Sequence, residues 1–163
     1  MADTPFPVTV DVSRAIAKIG RVSEKTRAAL RPAMVSLAAD LKASVLVKLS
    51  GAVLNKISGA LYDSIKSQLI ENTTSIYSRV YVDPASPAAK YAAIHEYGGV
   101  IHHPGSDKFQ AWQAGGAWIY TNHTKPHDIP MPERSYMRSS LEEMRGQIID
   151  RLTTAARAGA GAA

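Results

Sequence analysis

Leu30, Met34, Leu37, Leu41, Val45 and Leu49 recur at intervals of three and four, which places them on one face of a helix. The surrounding stretch from Arg14 to Leu49 is rich in Ala, Lys, Arg and Leu, and reads as one long helical pattern. Gly20 and Ser23 are candidate breaks near its start. Pro32 falls inside it and predicts a kink or a restart. Unbroken, such a helix would be about 54 Å long, against a globule roughly 40 Å across. It therefore bends, or part of it projects toward a partner. Before it, Phe6, Val8, Val10 and Val12 alternate with polar positions. That is the pattern of a half-buried strand, placed at a sheet edge by Pro7, with Ser13 able to cap the helix that follows.

Ser50-Gly51 ends the pattern. Ser58-Gly59 then predicts a second helix through Leu61, Ile65 and Leu69. After a turn at Glu71-Asn72, the alternation of Ile76, Ser78, Val80 and Val82 with Tyr77, Arg79 and Tyr81 predicts a strand. Ser86-Pro87 has the chemistry of a helix start, with Tyr91, Ile94 and His95 on one face and a stop at Gly98-Gly99. Residues 100–129 form an irregular region, expected as one or two extended strands around a mobile loop from Gly105 to Gly116, with a strand at Ala117–Thr121. Ile129-Pro130-Met131-Pro132 is a rigid extended lead-in to a last helix with a stripe of Leu141, Met144, Ile148, Leu152 and Ala155. The Ala/Gly tail, 158–163, is expected to fray as a flexible tail. The fold class is α+β: one domain over 1–163, a small antiparallel sheet covered on one face by a long N-terminal helix and a C-terminal helix.

Composition narrows the chemistry. The 163 residues include no Cys, which excludes thiol catalysis, thiolate metal sites and disulfides, and suits a reducing compartment. No run of about 18 apolar residues exists to span a membrane. Met1 to Pro7 lack the basic start and apolar stretch of a signal peptide. The net charge of +5 arises entirely in residues 1–82, with 11 Lys/Arg against 6 Asp/Glu; residues 83–163 hold 8 of each. The basic residues are spaced singly, without interleaved aromatics. That fits a solvated helix face better than a nucleic-acid surface.

His95-Glu96 begins the zinc motif His-Glu-x-x-His, but the fifth position is Gly99. His123 and His127 are separated by Pro126, and His102 and His103 are neighbours whose side chains would diverge on a strand. A metal site drawn from His95, His102 or His103, His123 and Asp128 is the basis of one reading, a metal-dependent hydrolase using region 95–128. No nucleophile elbow, phosphate loop or dinucleotide fingerprint is present, and Glu142-Glu143 read as a solvated face. Trp112 and Trp118 form either a second small core or an exposed anchor at a protein interface.

Three segments in order carry a resemblance. Ser58-Gly59-Ala60-Leu61-Tyr62-Asp63-Ser64-Ile65 resembles a Thr/Ser-Gly-x-Leu-x-x-Ser-Ile element. Tyr91-Ala92-Ala93-Ile94-His95-Glu96-Tyr97-Gly98-Gly99 resembles Tyr-Ala-x-x-His-Glu-aromatic-Gly-Gly. Met131-Pro132-Glu133-Arg134-Ser135-Tyr136-Met137 resembles a Pro-Ala-Arg-Pro-Phe-Leu element leading into a C-terminal helix. Together they resemble the tail-completion, or virion-morphogenesis, family of tailed bacteriophages, which is similar to the minor tail protein Z group. Tyr62 and Asp63 stand where basic residues are common, and Ser135 replaces the second Pro.

The resemblance implies a structural subunit without catalysis or cofactor. It is made in the bacterial cytoplasm and incorporated in the virion neck as a sixfold ring. It would contact the tail tube or tail terminator and the head connector, touch no membrane, and let the genome pass. His95, Glu96, Tyr97, Gly98, Gly99, Trp112, Trp118, Pro130, Pro132, Arg134 and Tyr136 are the candidate junction and assembly residues. His95, Glu96 and Arg134 are expected as a polar cluster tying a helix end to the proline segment.

Overall fold

The computed structural model describes residues 9–11, 24–54, 58–72, 75–106, 110–121 and 123–161. Pro7, Ser13, Gly20, Ser23, the Arg14–Ser23 part of the helical pattern and residues 162–163 lie outside them. Among the described residues no helix is long and apolar enough to cross a membrane.

Helix α1 (Glu24–Val47) has 24 residues, about 36 Å. Its stripe of Leu30, Met34, Leu37, Leu41 and Val45, extended by Leu49, is buried throughout. Each such side chain contributes roughly 1.5–3 kcal/mol by leaving water. The helix runs through Pro32 without the restart the sequence suggests. Pro32 and Ala28, whose carbonyl it leaves without an intrahelical donor, are both exposed, so water can satisfy the freed group. Arg27 is buried rather than solvated, and donates to the Asn72 carbonyl at 2.8 Å.

α1 covers one face of a three-stranded antiparallel sheet, β1 (Thr9–Asp11), β2 (Ile65–Glu71) and β3 (Ile76–Val82), in the order β1-β3-β2. In β3, Ile76, Ser78, Val80 and Val82 are buried and the intervening residues half-buried. The β2–β3 turn is fixed by Asn72, whose Oδ1 accepts the Ser75 N–H at 2.7 Å, a local bond Asn is suited to make. The second helix of the sequence reading shrinks to one turn, α2 (Ala60–Asp63), and Ile65 and Leu69 belong to β2. A spacing of four satisfies both a helix face and strand alternation. Pairing of Ile65 with Val82 and Leu69 with Ser78 decides between them.

Helix α3 (Ala89–Tyr97) begins after Ser86-Pro87. The Ser86 hydroxyl accepts the Ala88 N–H at 3.2 Å and so shapes the turn before the helix, not its first residue. The described part of the region expected as a mobile loop is an arm of largely paired strand. β4 (Gly99–His103) pairs with β7 (His127–Met131), an isolated Ser106–Thr124 bridge extends the ribbon, and β5 (Gln110–Ala114) pairs with β6 (Ala117–Thr121). Gly115 and Gly116, at φ +58° and +82°, make the two-residue turn that needs positive φ at both positions. Pro130 lies within β7, opposite Val100.

Helix α4 (Met137–Gly161) packs antiparallel on α1. Lys48 bonds Ser139 and Glu143, each at 2.7 Å, and Arg151 bonds Asp40 at 2.6 Å and Ser36 at 2.7 Å. Ile148 is buried, while Leu141, Met144 and Leu152 pack on the core partly exposed. Residues 158–161 continue the helix. Gly159 is buried so closely over α1 that a Cβ there would sit 2.5 Å from Thr26 Cα.

Candidate functional site

The end of α3 and the start of α4 meet at one carboxylate. Glu96 is fully buried. Its oxygens accept the backbone N–H groups of Tyr136 at 2.8 Å, Met137 at 2.9 Å and Arg138 at 2.8 Å. They also accept the Ser135 hydroxyl at 2.8 Å and Arg138 Nε at 3.3 Å. A helix start has N–H groups without partners and a partial positive charge, and Glu96 supplies both acceptor and charge from another element. On α3 itself the carboxylate lies in the last turn, where the dipole disfavours it. Its position is explained by α4.

Other groups close the junction. Tyr136 is buried, and its hydroxyl donates to the Ala92 carbonyl at 3.2 Å. Burial, then the Glu96 and Tyr97 charges, hold that phenol well above its ordinary range. Arg138 also donates to Glu133 and lies over the Tyr97 ring, 4.7 Å from its centre. Partial desolvation pulls the Arg138 pKa down, but Glu133 and the bonds to Glu96 outweigh it and raise it. At Gly98, φ is +69° and a Cβ would lie 2.7 Å from the Glu133 nitrogen. The chain there has neither the conformation nor the space for a side chain.

The expected cluster of His95, Glu96 and Arg134 is therefore corrected. Glu96 does tie the two segments, but through Ser135, Tyr136, Met137 and Arg138. Arg134 contributes its backbone N–H, donated to the His95 carbonyl at 2.9 Å, while its side chain is exposed. His95 stands edge-on to Tyr91 at 5.8 Å. Its Nδ1 is buried without a hydrogen-bond partner among the described residues. Burial first, then the Arg134 charge, lower its pKa from 6.5. Both residues line a cavity of about 700 Å³ with Leu49, Leu61, Tyr62 and Tyr91. Ser135 and Arg138 were missed in the sequence; a Ser directly ahead of a helical pattern was the available signal.

The histidines of the arm do not converge. His102 and Asp128 pair at 2.6 Å on one face of the β4–β7 ribbon. His103 and His127 stack on the other, with ring centres 5.0 Å apart. His103 Nδ1 accepts the Gly105 N–H at 3.0 Å, and His127 Nδ1 faces the Lys125 carbonyl at 2.9 Å. Among the described residues no three His, Asp or Glu side chains are grouped to hold a metal ion, so the set drawn from His95, His102, His103, His123 and Asp128 is not assembled. The Glu96 carboxylate, with five donors from its own chain, has no role open as a general base.

Trp112 and Trp118 are exposed, on opposite faces of the β5–β6 hairpin, so the alternative of a second small core does not hold. Trp118 stacks on Tyr120, ring centres 6.4 Å apart. Pro130 and Pro132 lie on the return strand and just beyond it, leading into the junction. Comparison with protein-family models, curated proteins and solved structures found no match.

Proposed function

We propose that the chain is a structural subunit of a phage neck, which completes the head-proximal end of the tail as a sixfold ring. The ring joins the tail tube or tail terminator to the head connector and leaves a passage for the genome. The chain performs no catalysis there, holds no cofactor, and resides in the virion.

One observation carries this reading. Two of the three segments that carry the resemblance, Tyr91–Gly99 and Met131–Met137, are distant in sequence and meet around Glu96. They form a rigid junction from which an exposed arm departs. A rigid body with a projecting two-stranded arm is suited to contacts between subunits. The saturated Glu96 and the dispersed histidines favour scaffolding over chemistry.

Native mass spectrometry of the purified protein, without added metal, tests it. A closed ring free of metal is the expected result. One tightly held metal ion per chain would overturn it in favour of the metal-dependent hydrolase.

A further inference from the structure

The β5–β6 hairpin exposes apolar side chains on both faces, Trp112 and Ile119 on one and Trp118 and Tyr120 on the other, with Trp118 59% exposed. From Gln110 to Thr121 there is no Lys, Arg, Asp or Glu. Free strand edges are ordinarily protected from pairing by such charges. A two-stranded hairpin alone is marginal in water, so this one is built to be covered.

At the root of the arm lies a surface with matching properties. The cavity of about 700 Å³ has apolar walls from Leu49, Leu54, Leu61 and Tyr91, and its polar lining includes Arg134. The Arg134 side chain is exposed, and among the described residues it forms no ion pair with a carboxylate. A guanidinium beside an apolar hollow attracts the face of an aromatic ring, and most strongly that of Trp. An aromatic hairpin that carries no positive charge complements this cavity, where a basic segment would be repelled by Arg134. Within one chain, the β4–β7 ribbon and the Ser106–Thr124 bridge stand between the two, and Trp118 remains in solvent.

We propose that the Trp118–Tyr120 face of one chain docks into the Leu61–Tyr91 cavity of a second copy, with the Trp118 ring against the Arg134 guanidinium. The contact is heterologous, joining two different surfaces. Repeated from copy to copy, it closes a ring or runs on as a filament. This inference rests on the ring reading and adds the place where neighbouring subunits meet.

The absence of Cys from the chain makes the test direct. Gln113→Cys places a thiol beside Trp118 on the hairpin, and Ser58→Cys places one at the cavity; both positions are exposed. Mixed under mild oxidation, the two variants are expected to form the mixed disulfide about tenfold faster than either forms its own, because docking raises the effective concentration of the pair. Trp118→Ala in the first chain, or Arg134→Gln in the second, should remove that preference. Equal rates for mixed and self disulfides would overturn the docking. Native mass spectrometry of the unmodified protein separates the two ideas. A ring without the mixed-disulfide preference retains the neck function and rejects this contact; the preference without a ring does the reverse.

Discussion

Glu96 and Tyr136 stand 40 residues apart in sequence, yet the carboxylate of one accepts the backbone N–H of the other at 2.8 Å in the interior. This bond belongs to a set that caps α4 from outside and fixes the angle at which two helices leave the junction. Glu96→Ala would strand three backbone N–H groups (Tyr136, Met137 and Arg138) and the Ser135 hydroxyl. The expected cost is about 3–5 kcal/mol, seen as a melting temperature lower by on the order of 10 °C. Glu96→Gln keeps one acceptor oxygen and should cost about half as much. Glu133→Gln, which removes only an exposed partner of Arg138, should stay within about 0.5 kcal/mol. Equal melting temperatures for all three variants would remove the capping role.

His95 gives the junction a pH dependence whose sign follows from its lowered pKa. In the unfolded chain the imidazole takes a proton near 6.5; in the fold, burial and Arg134 resist it. Below 6.5 the unfolded state therefore binds more protons, and stability falls with pH until the folded-state value is passed. Urea midpoints measured from pH about 7.5 down to about 5 should decline more for the wild type than for His95→Gln. The imidazole titration followed by NMR should lie below 6.5. Arg134→Ala should restore only part of the shift, since burial is the larger cause.

Legibility in the sequence followed the physical period of each segment. The α1 stripe was readable because it runs over six apolar residues and includes an interval of three, Met34 to Leu37, which breaks strand alternation. Ile65 and Leu69 were misread because an interval of four fits both periods, and only pairing with β3 resolves it. Gly115-Gly116 between Trp112 and Trp118 was a hairpin signal that the surrounding glycines and histidines obscured. In the site, His95, Glu96 and Gly98 stood out by residue type. The partners of Glu96 did not, because three of them are backbone N–H groups, which no side-chain pattern encodes.

Gly146 and Gly159 of α4 should respond in opposite ways. Gly146 is exposed mid-helix with nothing within 4 Å of an added Cβ. Gly146→Ala should therefore realise the helix-propensity gain of about 0.5–1 kcal/mol. At Gly159 the same gain is opposed by a Cβ 2.5 Å from Thr26 Cα and 3.1 Å from Ala29 Cβ. Backbone must move to relieve that contact, at a typical overpacking cost of about 1–3 kcal/mol. Gly159→Ala should be net destabilising in chemical denaturation. A stabilised Gly159→Ala would mean that the last turns of α4 do not pack on α1.

Both tryptophans of the chain sit on the hairpin, so its indole fluorescence reports on the arm alone. In the single chain Trp112 and Trp118 are already 44% and 59% exposed, so unfolding adds less to their contact with water than it would for a buried indole. Emission from dilute protein should already lie toward the red and shift little through a urea transition that circular dichroism records as a large loss of helix. Trp118→Ala should change the stability seen by circular dichroism by no more than about 0.5 kcal/mol, as for an exposed position without core contacts. Docking of Trp118 into a second copy, as proposed, would move the emission to the blue on concentration as that indole leaves water. Blue emission at high dilution, lost in step with the helix signal, would show instead that the arm is folded back against its own chain.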